Sequence, residues 1–302
     1  MKPRGSESRR TWRPDLAYAV GLIATDGNLP PSGYHVCLVS TDLEQLATFA
    51  GILETRNGIN KHPGGYARTV CYQLVLGDRL FHEWLVGIGI TQRKTHTIGE
   101  VAVPDEFFRD FLRGHLDGDG SITTYVDRYC TKMKSKYVYL RLYVRFLSAS
   151  QRHVEWLRNR ITALLGVDGY VVQRPAVGRR VPLYSLHFAK KDAIKLLRWI
   201  YYSSEVPCLK RKRAIAEPFL TGDIRDFRHP PGFEVRETAE GYHVAGRVGL
   251  RATQIVPDPP RLGTFFSNPR LTRRRGAGSG DSGDRGRTQP HQALLRRRPR
   301  CL

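Results

Sequence analysis

The sequence predicts an α/β (α+β) protein built of two similar halves. Each half runs helix–strand–strand–helix–strand–strand–helix, and the halves pack through their first helices. Three observations carry that expectation. A helix ending in Asp-Gly is written twice, at Ala19–Gly27 and Leu112–Gly120. The terminal aspartates, Asp26 and Asp119, lie 93 residues apart, and a further 93 reaches position 212, where the patterned region stops. After each copy, strand and helix periodicities follow in the same order.

The helix comes first in each half. Gly21 and Thr25 in one copy, and Gly114 and Gly118 in the other, place small residues at i and i+4. Small residues let two backbones approach closely, so these four are the expected interface, and packing there brings Asp26 and Asp119 together. A carboxylate at a helix C-terminus opposes the helix dipole. Two side by side are worse, unless a divalent cation lies between them.

A strand pair and a second helix follow. Val36–Val39 leads to Leu43, Leu46, Ala47, Ala50 and Leu53, with Thr41-x-x-Glu44 as a capping box. Leu140–Leu147 leads through Ser148-Ala149-Ser150 to Val154, Leu157, Ile161 and Leu164. A second strand pair turns near Pro63-Gly64-Gly65 or Ala176-Val177-Gly178. The closing helices are expected at Asp78–Ile88 and Lys191–Tyr202, each followed by an Arg-Lys pair, Arg93-Lys94 and Arg211-Lys212. The boundaries are therefore a basic arm at 1–13, halves at 14–103 and 104–217, and a tail at 218–302. That tail holds 16 Arg and no Lys against 8 acids, with 11 of the 29 Gly and 9 of the 18 Pro. Its composition predicts that it is largely disordered.

A formal net charge of +21 points to a polyanionic partner, with nucleic acid first. The five cysteines form no C-x-x-C pair and have no His at ligand spacing, which excludes a zinc framework and fits a reducing compartment. No apolar run has the length of a membrane span.

The strand Tyr137–Phe146 alternates cleanly. One face is Val138, Leu140, Leu142, Val144 and Phe146; the other is Tyr137, Tyr139, Arg141, Tyr143 and Arg145. A Tyr/Arg face suits a sheet laid on DNA, with Arg reading guanine edges and both types holding phosphates; an ordinary solvated or protein-binding face is the alternative. Gln173, Arg174, Arg179, Arg180, Ser185 and His187 extend that chemistry, and the first half offers less: His35, Lys61, His62, Arg68 and Gln73. Phosphodiester hydrolysis needs an activated water, a stabilised leaving oxygen and neutralised phosphate charge, which two carboxylates holding Mg²⁺ can supply. Asp26 and Asp119 are the candidates. Lys94 and Lys212 either flank the site and stabilise developing charge or make plain phosphate or solvent contacts. Asp117-Gly118-Asp119 does not open a calcium loop, because Ile122 and Arg128 stand where Gly and Glu are required.

At these residues the chain resembles the single-chain, two-motif LAGLIDADG homing endonucleases over about residues 14–217. Gly21, Asp26 and Gly27, and Gly114, Asp119 and Gly120, stand where that family has them, while Ala24 and Thr25 replace the usual acid–Ala pair. Arg113, His115 and Asp117 make the second helix more polar. The resemblance implies pseudo-symmetric αββαββα halves with saddle-shaped antiparallel sheets over double-stranded DNA. It implies cleavage of both strands of a long site with Mg²⁺ (or Mn²⁺) on Asp26 and Asp119. The carbonyls of Thr25 and Gly118 would add metal ligands, and Lys94 and Lys212 would occupy a basic catalytic pocket. A monomer acting in the cytoplasm or nucleoid of a bacterium, or in an organelle, is expected, as is a free-standing or intron-encoded frame rather than an intein. The competing reading is an RNA maturase bound to intron RNA, or a DNA-binding regulator, on the same scaffold without cleavage.

Overall fold

Two helices form the centre of the molecule. In a computed structural model that describes residues 7–62, 70–127, 139–175, 182–221, 233–238 and 241–246, α1 (Pro14–Asp26) packs against α4 (Asp105–Asp117). Pro14 starts α1 where its missing N–H costs nothing, and Asp105 and Glu106 favour the positive end of α4. Every residue of α1 from Leu16 to Ala24 is buried, so this helix is enclosed rather than amphipathic. The crossing is as close as backbones permit. A Cβ on Gly21 would collide with the Phe111 carbonyl, one on Gly114 with the Tyr18 carbonyl, and one on Gly118 with the Thr25 side chain.

The first half continues with β1 (Gly27–Asn28), β2 (His35–Ser40), α2 (Leu43–Ile52), β3 (Ile59–His62), β4 (Cys71–Gly77) and α3 (Arg79–Gly87). The second, after α4, has β5 (Ser121–Asp127), β6 (Tyr139–Ser148), α5 (Gln151–Leu165), β7 (Tyr170–Arg174), β8 (Leu183–Ala189) and α6 (Lys190–Ile200). Each half forms a four-stranded antiparallel sheet, ordered β1-β2-β4-β3 and β5-β6-β8-β7. In both, the edge strand is the one that leaves the Asp-Gly helix, so each sheet extends outward from the acids. The inner faces carry Val36, Leu38, Leu74 and Leu76, or Leu140, Leu142, Val144 and Phe146, into one core shared by both halves.

Several boundaries differ from expectation. The strand expected at Tyr137–Phe146 is described from Tyr139 and runs to Ser148; Tyr137 lies outside the described residues. The two expected turns at 63–65 and 176–178 also lie outside them. The capping box at Thr41 does not form. Asp42 is the N-cap of α2 and makes no side-chain cap, because its carboxylate is engaged by Arg211 (2.8 Å). Asp78 and Ser150 do cap α3 and α5, accepting from the backbone N–H of Phe81 and His153.

The second half gains a helix, α7 (Lys210–Thr221), which continues past the expected limit at 217 with Pro218 inside it. The tail is not wholly without structure, since β9 (Phe233–Thr238) and β10 (Gly241–Gly246) pair as an antiparallel hairpin. The described part of the N-terminal arm docks on the first half. Arg9 donates to the Leu53 carbonyl and to Asp78, both at 2.8 Å, and Trp12 packs on Trp84. Among the described residues, no helix is long and apolar enough to cross a membrane.

Candidate functional site

Asp26 ends α1, and Asp119 follows the end of α4 by two residues. The α1–α4 crossing brings them together: a Cβ on Gly118 would lie 3.1 Å from Asp26 Oδ2. Asp26 is half-buried and Asp119 is open to solvent on one side. Burial pushes the Asp26 carboxyl up to about 7, and the neighbouring Asp119 charge adds to the shift against the pull of Lys212 and Lys94. Surrounding protein raises Asp119 as well, against the same two lysines.

The lysines answer a backbone need. A helix leaves its last carbonyls without intrahelical partners. Lys94, on the turn after Arg93, donates to the carbonyls of Gly27 (2.5 Å) and Thr25 (3.1 Å). Lys212, in the first turn of α7, donates to Leu116 (2.6 Å), Asp117 (2.8 Å) and Gly120 (2.8 Å), with Gly118 at 3.3 Å. Both side chains are buried. Burial lowers each ammonium to about 8, while the nearby carboxylates pull the other way. Sequence reasoning offers pocket, phosphate or solvent contacts for these lysines; their described partners are the ends of the motif helices.

Neither Asp26 nor Asp119 accepts a hydrogen bond or forms an ion pair among the described residues. The two fully buried aspartates do, Asp110 with Arg113 and Asp117 with Tyr18. Two unengaged hard oxygen donors, both with raised carboxyl pKa values, fit a divalent cation of the Mg²⁺ or Ca²⁺ type better than a soft metal. The Thr25 and Gly118 carbonyls already accept from the lysines, and a carbonyl keeps a second lone pair. No group of three or more His, Cys, Asp or Glu side chains with metal-binding geometry occurs among the described residues.

The outer sheet faces adjoin this centre. Pairing register places Tyr125, Arg141, Tyr143, Arg145 and Arg174 on one side of the second sheet. Tyr125 stacks on Tyr143, Arg141 pairs with Asp127 (2.8 Å), and Arg145 is held by Thr123 and His187. Four assignments need correction. Gln173 pairs with Tyr184 and so belongs to the helix-side face, as does Lys61, which pairs with Tyr72. Ser185 has the outward register but is fully buried, so it offers no surface. His187 is also buried, under Tyr170 and beside Arg145. Gln73 faces outward and shares a hydrogen bond with His62 (2.9 Å). Arg68, Arg179 and Arg180 lie outside the described residues.

No protein-family model and no curated protein matches this sequence. Solved structures do. The trace is similar to those of LAGLIDADG homing endonucleases. Meganuclease I-SmaMI bound to uncleaveable DNA matches with a TM-score of 0.48 and 13% identity, over 72% of this chain and 92% of that one. I-DmoI in complex with DNA and Ca matches at 0.44 and 14%, over 71% and 100%. Full-length DUF199/WhiA from Thermatoga maritima matches at 0.43 and 11%, over 74% and 67%. The residue assignments above rest on this chain's own geometry.

Sequence reasoning misses the support behind the site. Arg113, read as a polar helix residue, is fully buried and donates to the carbonyls of Ile200 (2.7 Å) and Pro207 (2.8 Å) and to Asp110 (2.7 Å). Asp117 accepts from Tyr18 of α1 (2.9 Å) and from the Leu209 N–H (2.7 Å), which fixes the start of α7 and with it Lys212. His115 and His153 face each other at 3.1 Å inside the core. Apart from Asp110, three residues before Arg113, their partners come from 38 to 99 residues away in the chain. No local pattern announces them.

Proposed function

We propose that this protein is a divalent-metal-dependent DNA endonuclease that hydrolyses both strands of a long site and acts as a monomer, since one chain supplies both halves. One observation carries the reading: two aspartates without partners among the described residues meet at the crossed helix ends, between the inner edges of two antiparallel sheets. A duplex laid across both sheets would cross the acids at its middle. Asp26 and Asp119 would hold Mg²⁺ or Mn²⁺, which would activate water and neutralise the scissile phosphate. Lys94 and Lys212 hold the helix ends in register and keep positive charge beneath the phosphates. Arg141, Arg145 and Arg174 bind and orient the DNA.

The test is selection of cleaved duplexes from a randomised library, with Mg²⁺ or with EDTA, using the parent chain, Asp26→Asn and Asp119→Asn. Metal-dependent enrichment of one long site, absent in both variants, is expected. Equal cutting by either variant would remove these acids from the mechanism. Retention of one site without cutting would favour the regulator, and retention of intron RNA instead would favour the maturase.

A further inference from the structure

The two sheets offer unlike surfaces to anything that spans them. On the second, Arg145 is braced before any ligand arrives: its Nη1 donates to Thr123 (3.2 Å), its Nε to His187 (3.4 Å), and its guanidinium lies 5.3 Å from the Tyr143 ring centre. Arg141 and Arg174 share that face. A fixed guanidinium fork matches the O6 and N7 acceptors of guanine, and cationic neighbours suit phosphate. On the first sheet, register places Cys37, Val39, Val75, His62 and Gln73 on the outward face. All five are partly exposed, and no Lys, Arg, Asp or Glu of strands β1 to β4 shares this face among the described residues. Small apolar groups on a groove-facing strand match the C5-methyl of thymine. The His62–Gln73 pair supplies polar contacts without net charge.

We propose that the two halves read their half-sites by different chemistry. The second sheet reads guanine and backbone phosphate through Arg145, Arg141 and Arg174. The first reads A·T pairs, with Cys37, Val39 and Val75 against thymine methyls and His62–Gln73 against base edges. The target is therefore asymmetric, with guanine contacts in one half and methyl contacts in the other. This rests on the endonuclease reading only in taking duplex DNA as the occupant; no cleavage is required.

The experiment is retention of randomised duplexes by the full chain in EDTA, followed by resynthesis of the retained site. Replacing thymine by deoxyuridine in the A·T half should weaken retention several-fold, and Val39→Ala should erase that penalty. Arg145→Ala should weaken retention about 5- to 150-fold at a guanine in the other half. Arg145→Lys keeps the charge but not the fork, so it should retain DNA and lose the guanine preference. Alkylation gives an independent reading: bound duplex should protect Cys37 while Cys208, beside α7, still reacts. A retained site with guanine preference in both halves, no sequence preference, or a deoxyuridine substitution without effect would overturn the division. So would retained DNA that leaves Cys37 fully reactive. Each of those outcomes leaves DNA binding standing, whereas no retention of any duplex would overturn both readings.

Discussion

The charged residues at the centre split into two kinds by the partners they have. Lys94 and Lys212 are committed to carbonyls, and Asp26 and Asp119 have no hydrogen-bonding partner among the described residues. Removing a buried donor strands the acceptors it served. Lys212→Met should therefore cost about 2–4 kcal/mol in urea unfolding, and Lys94→Met less, because Lys94 serves two carbonyls and Lys212 up to four. Equal and small losses would show that both lysines are solvated. The acids predict the opposite sign. The Asp26 carboxyl is raised to about 7 from an ordinary value of 3.8, so its contribution to stability is present at low pH and is lost as pH rises through 7. Without divalent metal, Asp26→Asn should be more stable than the parent at pH 8, and that advantage should shrink by pH 5. Adding Mg²⁺ at ten times its Kd should raise parent stability by about 1.4 kcal/mol and leave the variant unmoved. A parent that ignores Mg²⁺ in thermal melts would count against the metal assignment.

At the scale of elements, the α1–α4 crossing is the joint on which everything else is hung. Gly21→Ala would drive a methyl into the Phe111 carbonyl, and backbone cannot yield as a side chain can. A loss of about 1–3 kcal/mol, or failure to fold, is expected. A methyl on Gly51, in α2, would meet nothing within 4 Å, so Gly51→Ala should be neutral or stabilise by up to ~1 kcal/mol. Similar calorimetric Tm shifts for the two substitutions would show that the helices do not meet through Gly21. This joint was legible in the sequence because small residues and Asp-Gly recur at a fixed offset. Strand alternation was legible too, since Leu140, Leu142 and Val144 needed only period two. The reversals at Gln173 and Ser185 were not, because the face a residue takes depends on strand register, and its burial on what lies beside it in the sheet. Nor was the role of Lys212, whose acceptors lie 92 to 96 residues earlier.

Over the whole molecule, the halves are alike in trace and unlike in interior. The first fills its core around α1 with aliphatic and aromatic side chains, Tyr18, Phe49 and Phe81 among them, whereas the second also places His115 and His153 inside, with Arg113 nearby. Tautomers follow from partners. His153 Nδ1 donates to the Gly99 carbonyl (2.6 Å), which leaves its Nε2 to accept from His115 Nε2–H. Both rings are therefore neutral, and His153 ties the segment joining the halves to α5. Burial lowers His153 to about 4, and lowers His115 well below its ordinary range of 6.5, with the partner histidine adding to the effect. Between pH 6.5 and about 4 the unfolded chain thus binds protons that the folded chain refuses. Stability due to this pair is complete above pH 6.5 and falls as pH drops through that window. Asp117, raised to about 6, works in the opposite direction over part of it, so the parent curve alone does not isolate the histidines. His153→Gln keeps one donor and one acceptor and removes the titration. Relative to the parent, this variant should lose least near pH 4.5 and most at pH 7.5, the difference reaching at most about 3 kcal/mol. A penalty that does not change with pH in chemical denaturation would mean that His153 is solvated in the fold, and that Ser150 and Arg160 hold the joining segment to α5 without it.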